Sequence, residues 1–417
     1  MSWRTSRFHN SVVPAIVVGA VVFQLVRTHV CERYRVTSRS MEPTLHGDPE
    51  SGDIVVVDRL AWALETPHPG DLVVLRNRDD ASLNHLVKRL FAVGPAFLEF
   101  RAGDVFVGES RQTVSRIVKD PIAHRALRIV HFRVPGDGPI PLRPDAARWK
   151  VIHNDERPIV LVTPVGSMRE LHTVVTARSQ DERSSSTPPD RFLPGHVSLA
   201  EPVGNDFLDA RAVRQRSSGP SPRDVGIELE LTVPDACEGL QLVYEYAEHY
   251  LVCTVDAGGA GLFSHYGQQL DSFAFGELHA GERLRISFGY LDGRLFVTRG
   301  DRLVAERAFE LPEQSRLLID RDDRFVNQIH FGFAGRTDAE VHRIEVFRDS
   351  YYDATARDYH VELGQVFVLG DNAHDSADSR DRARDPYELG DLVGRPFAVI
   401  GPMERARWLP RYSLTTP

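Results

Sequence analysis

The chain has 417 residues, 42% hydrophobic and 26% charged, with a formal net charge of −9. Such a composition buries a real core and excludes global disorder, while the acidic balance argues against nucleic acid as a partner. Three cysteines (Cys31, Cys237, Cys253) are too few for a disulfide framework, and neither C-x-x-C nor H-E-x-x-H spacing occurs, so no metal or cofactor is expected from the motifs.

The first distinctive segment is Val12 to Val26, VVPAIVVGAVVFQLV, uncharged between Arg4, Arg7 and Arg27. Extended to Ser11 and Thr28 it just reaches the lower limit of about 17 residues for a spanning helix. We read residues 1–30 as a single-pass membrane anchor, with the lipid bilayer as a partner. A cleaved secretory signal lacks a small-x-small site in the following RTHVCERYRV, and a lipoprotein signal at Cys31 fails on Val30. A buried soluble helix is disfavoured by the β-branched run. The flanking arginines, with Arg33, Arg35 and Arg39 on the far side, do not fix the orientation.

Residues 31–110 read as short strands. Ile54 to Val57 and Leu72 to Leu75 are apolar runs, each opened by a Gly-Asp turn, and HLVKRLF (His85 to Phe91) and AGDVFVGE (Ala102 to Glu109) follow. Just before them stands SRSMEPTL, Ser38 to Leu45. Pro43 fixes φ and removes a donor, so Ser40 is expected in a rigid turn or strand edge. A serine hydroxyl needs a base within hydrogen-bond reach. In HLVKRLF, strand alternation puts Leu86, Lys88 and Leu90 on one face, and Val87, Arg89 and Phe91 on the other. Burial among leucines lowers a lysine pKa toward the working range, and only a neutral amine can take the serine proton. Arginine cannot replace it. Taken alone, Lys88 reads as a solvated lysine.

Residues 111–349 read as an insertion, irregular to about residue 224, with Ser/Pro/Arg-rich loops at Asp181 to Asp190 and Arg214 to Asp224. From residue 225 to 349 seven or more short strands follow at near-regular spacing, with a hairpin signal at Leu291-Asp292-Gly293. The pattern is that of a jelly-roll or lectin-like β-sandwich. Its Cys237 and Cys253 either pair or stay as buried thiols. Its aromatics Tyr244, Tyr246, Tyr250, Phe288 and Tyr290 suit either core packing or stacking on a glycan.

Residues 350–417 return to the style of the first region, so the fold class is mainly β: one antiparallel β-domain interrupted by a sandwich and preceded by a helix. GDNAHDSADSR (Gly370 to Arg380) follows an apolar strand. Asp378 and Arg380 can pair, Ser376 can orient an amine, and the oxygens of Asp371, Asn372, Asp375 and Asp378 do not have EF-hand spacing.

In sum, SRSMEPTL, GDIVVV at Gly52 to Val57, Lys88-Arg89 and GDNAHDSADSR, in that order after an apolar segment, resemble the type I signal peptidases. These are membrane-bound Ser/Lys endopeptidases that release exported proteins. The resemblance covers Ser11 to about Ser110 and Tyr352 to about Pro410. It implies Ser40 as nucleophile and Lys88 as general base. It implies Ser38 and the Ser40 amide as the oxyanion hole, and Gly370, Asp371, Asn372, Ser376, Asp378 and Arg380 as supports. Met41 and Pro43 would line the substrate cleft. Signal peptides cut after small residues are the implied substrates, with the catalytic domain on the extracytoplasmic side of the cell membrane. Arg39 departs from the family's usual glycine between the two serines, and LFAVGPAFLEF replaces its Pro-Gly-Asp after Lys88-Arg89. Two other readings stand beside this one. Ser40 working with His85 or His374 lacks a G-x-S-x-G elbow. A divergent scaffold would bind a glycan or protein partner through the sandwich.

Overall fold

The computed structural model describes residues 30–78, 85–119, 149–153, 158–165, 222–312, 327–352, 358–382 and 386–415, most of 124–134 and a few shorter pieces. The expected anchor, Val12 to Val26, lies outside the described residues, as do 171–176 and 181–190. Among the described residues no helix is long and apolar enough to cross a membrane. These residues fall into two compact units, one drawn from 1–100, 105–123 and 354–417, the other from 101–104 and 124–353.

The first unit is built on an antiparallel sheet that interleaves the two ends of the chain. Its order is Cys31–Arg35, Ile54–Asp58, Leu392–Gly401, Leu72–Arg76, His85–Val93, Gln365–Leu369 and Tyr387–Glu388. The sheet is covered on both faces, which is why its central strands read as unbroken apolar runs. Leu72 and Val74 pack with Val36, Met41, Leu45, Val55, Val57 and Val399 on one face. Val73 and Leu75 pack with Leu90, Val366, Val368 and Tyr387 on the other. Each such fully buried side chain stabilises the fold by roughly 1.5–3 kcal/mol before entropy is counted. The strand Cys31–Arg35 has no apolar run; its residues are half-exposed and it is held by register against Ile54–Asp58.

The second unit is a two-sheet sandwich. One sheet has Val225–Thr232 at its centre, between Arg283–Leu291 and Ala339–Arg348. The other centres on Cys237–Tyr246, between His249–Asp256 and Asn327–Gly335. Ile227, Leu229, Ile286 and Phe288 from the first share one core with Leu240, Leu242, Phe331 and Phe333 from the second. Ile129–Val134 and Pro158–Val162 both pair with Ala339–Arg348, so the stretch expected to be irregular before residue 224 supplies strands to the sandwich. Cys237 and Cys253 are free thiols, and the register sets Cys253 opposite Leu242. The five aromatics that suited glycan stacking are all buried at 0–1% exposure. They pack rather than present a face.

Candidate active site

The turn carrying Ser40 is a single 3-10 turn, Arg39–Met41, between extended Ser38 and extended Glu42. A residue before proline is pushed out of the helical region, so Pro43 ends the turn at Met41. Glu42 N–H donates to the Arg39 carbonyl at 3.0 Å and Leu45 N–H to that of Met41 at 2.8 Å. Met41 and Leu45 then anchor the turn in the core. Met41, expected beside the substrate cleft, is 1% exposed, whereas Pro43 is partly exposed. Arg39, in the place of a glycine, donates to the Glu42 carboxylate at 3.3 Å with its side chain 41% exposed. The departure is therefore absorbed by a local ion pair. Buried Glu42 also meets His46 Nδ1 at 3.1 Å.

Ser40 is 6% exposed. Its hydroxyl is hydrogen-bonded to that of Ser38 at 3.2 Å, and its carbonyl accepts from Asn372 N–H at 3.0 Å. Ser38 itself is exposed. No hydrogen bond joins Ser40 to Lys88 or to either candidate histidine; His85 is half-buried against Tyr34, and His374 is exposed.

Lys88 lies in His85–Val93 opposite Val73, on the face of Leu90, as the alternation predicts. It is 2% exposed, and its Nζ donates to Ser376 Oγ at 2.8 Å. Burial pulls its pKa from 10.5 down to about 8; the nearby Asp378 carboxylate opposes that shift and Arg380 adds to it. The Ser376 hydroxyl in turn donates to Asp378 Oδ2 at 2.8 Å. Asp378, 0% exposed, also accepts from the Gly370 amide at 3.0 Å and from Arg380 Nε at 2.9 Å.

The loop after Gln365–Leu369 thus stitches the Ser40 turn to the lysine strand. Asn372 reaches the carbonyl of Arg39 through its side chain at 3.1 Å. Asp371 takes a two-pronged bond from Arg89, at 2.8 and 2.7 Å, and a further one from the Thr44 hydroxyl. Gly370 is where the pieces come closest. A Cβ there would stand 2.2 Å from Ser376 Oγ and 2.4 Å from the Ser40 carbonyl oxygen. Asp371 and Asp378 therefore spend their oxygens on arginines. Thr44 and Glu42 were not singled out from sequence, although both sit inside SRSMEPTL.

Residues 9–129 match the family model described as signal peptidase, peptidase S26. Signal peptidase I of Mycobacterium tuberculosis (strain ATCC 25618 / H37Rv) is 41% identical over 61 residues, 14% of this chain and 21% of that protein. Signal peptidase I of Aquifex aeolicus (strain VF5) is 32% identical over 85 residues, 20% of this chain and 30% of that protein. The chain thus spans under a third of the length of these curated relatives. Among solved structures, Caenorhabditis elegans galectin LEC-6 overlaps 34% of this chain and 95% of that one, at TM-score 0.24 and 13% identity. Residues 9–129, in the amino-terminal part of the chain, are thus similar to the signal peptidase family, peptidase S26.

Proposed function

We propose that the chain is a membrane-anchored signal peptidase, a serine endopeptidase that cleaves signal peptides from exported preproteins after small residues. The supporting observation is the buried amine of Lys88, depressed to about 8 and oriented by Ser376 beside the loop that binds the Ser40 turn. In the proposed reaction the Ser40 hydroxyl turns from Ser38 toward Lys88 and gives its proton to the neutral amine. Its oxygen attacks the scissile carbonyl. The Ser40 amide and the Ser38 hydroxyl donate to the oxyanion, a service whose loss costs about 10²–10³ in rate per donor. The Lys88 ammonium then protonates the leaving amine, and water attacks the acyl-enzyme with Lys88 again as base. Residues 1–30 would hold the enzyme in the cell membrane with residues 31–110 and 350–417 on the extracytoplasmic side, and residues 111–349 would be an insertion carrying the sandwich.

Detergent-solubilised protein acting on a model preprotein tests the reading. Ser40→Ala and Lys88→Ala should each abolish cleavage while leaving the far-ultraviolet circular dichroism unchanged. Full activity in either folded variant would remove that residue from the mechanism. Activity lost only on substituting His85 or His374 would assign a different base.

A further inference from the structure

The sandwich unit brings together, at one end of its larger sheet, residues that no spacing in the sequence connects. Val225 pairs with Arg348 on one side and with Tyr290 on the other, and Arg348 pairs in turn with Ile129. Just past these paired positions lie Asp224, Asp349 and Asp292, and a helical turn closed by Arg128 N–H on the His124 carbonyl at 3.0 Å precedes Ile129. Asp292 occupies the hairpin turn with φ +48°, followed by Gly293 at φ +75°, the left-handed pair of a two-residue hairpin. That turn sends the Asp292 carboxylate inward, to 5% exposure. One ligand atom each from His124, Asp292 and Asp349 lies within 4.8 Å of the others, and His124 Nε2 is 3.2 Å from Asp292 Oδ2.

We propose that His124, Asp292 and Asp349 form a binding site for a divalent transition-metal cation of the Zn²⁺ class. Bonds of about 2.0–2.2 Å in a tetrahedron hold ligand atoms roughly 3.4 Å apart, a spacing this cluster reaches with small side-chain movements. An imidazole among the donors favours such a metal over Ca²⁺, which takes oxygen ligands. A second observation points the same way. Asp224 is 6% exposed and its Oδ1 has no hydrogen-bond partner. Its carbonyl accepts from Asp349 N–H at 3.0 Å, and its carboxyl, hydrogen-bonded to Asp104, lies within the fields of Asp104, Arg223 and, more weakly, Asp292. Buried carboxylate oxygens are costly without a partner. A metal held by the three residues gives that oxygen one through a bound water. The bland account is an ion pair between protonated His124 and Asp292, with the Asp224 carboxyl hydrogen-bonded to Asp104.

The test uses the full chain, stripped with chelator, and Zn²⁺ alone as probe. Calorimetry should give one equivalent bound at micromolar Kd or tighter. His124→Ala and Asp349→Asn should each weaken binding at least 10-fold, and the Zn²⁺-induced rise in Tm should vanish with it. Absence of a stoichiometric site, or equal affinity in both folded variants, overturns the proposal. Should a variant not fold, the Co²⁺-loaded wild type decides. Strong visible absorption of four-coordinate Co²⁺ supports the site, and only the weak bands of the hydrated ion overturn it.

Discussion

Lys88 and Ser376 stand 288 residues apart in the chain, and the amine of one donates to the hydroxyl of the other at 2.8 Å. A hydroxyl has a single O–H, and that of Ser376 donates to Asp378 at 2.8 Å. Its lone pair therefore faces Lys88 and holds one N–H. A neutral amine held this way keeps its own lone pair for a proton arriving from elsewhere, which is the state a general base requires.

Ser376→Ala removes that acceptor and leaves the amine free to rotate. On the proposed mechanism kcat should fall about 10–100-fold, a fraction of what a positioned base supplies, with little change in KM. Ser376→Thr keeps the hydroxyl and should recover much of the loss. Steady-state cleavage of a preprotein by the three proteins checks this; an alanine variant at wild-type kcat contradicts the positioning role.

The pKa of about 8 at Lys88 sets the direction of two pH effects. Cleavage should climb with pH through an acid limb near that value, because only the neutral amine serves as base. For stability, the unfolded lysine still binds a proton between about 8 and 10.5 where the folded one does not, so wild type gains stability as pH rises through that window. Lys88→Met lacks this gain. The difference in Tm between wild type and variant should shift in favour of wild type from pH 7 to pH 10, and a constant difference would show that the burial penalty on the ammonium is absent.

Much of this site was legible in the sequence because its parts are short and local. Pro43 fixes the end of the Ser40 turn, and alternation alone assigns Lys88 and Arg89 to opposite faces. The Gly-Asp turns likewise mark the strands that begin at Ile54 and Leu72. What stayed hidden depends on tertiary pairing. The partners of Asp371 lie on a strand and a turn more than 280 residues away, at Arg89 and Thr44. Gln268–Ala274 and Arg302–Ala308 carry no fully buried residue and many polar ones, so their pattern gives no strand signal although pairing makes them strands. Met41, expected beside the cleft, is 1% exposed; position next to a nucleophile says nothing about which way a side chain points.

Gly370→Ala places a methyl group 2.2 Å from Ser376 Oγ and 2.4 Å from the Ser40 carbonyl oxygen, well inside contact distance. The Ser40 oxygen belongs to the backbone and is tied to the Asn372 amide, so it cannot simply swing away. We expect about 1–3 kcal/mol of destabilisation from the overpacking. The displaced turn and serine should cost activity more than stability: cleavage should drop at least 10-fold at a temperature where the variant remains fully folded. A folded variant with normal turnover would mean that the separation between the two serines is not critical.

Arg89 and Asp371 form a two-pronged pair with side-chain exposures of 2% and 6%. Arg89 also donates to the Gly70 carbonyl at 2.8 Å, and Asp371 also accepts from Thr44, so each charge has partners beyond the pair. Removing one member strands the other charge in the interior, and Arg89→Met or Asp371→Leu alone should cost about 3–5 kcal/mol in urea unfolding. The double variant buries no lone charge. Its loss should fall well short of the sum of the singles and include the orphaned Gly70 carbonyl and Thr44 hydroxyl at about 1–3 kcal/mol each. Arg89→Lys should behave like the single loss rather than a conservative change, since an ammonium cannot match both carboxylate oxygens and the carbonyl at once. Additive single and double effects would show that the two side chains are not coupled. The loop from Gly370 to Arg380 would then be held to the lysine strand without that pair, with the Lys88–Ser376 bond among its remaining contacts.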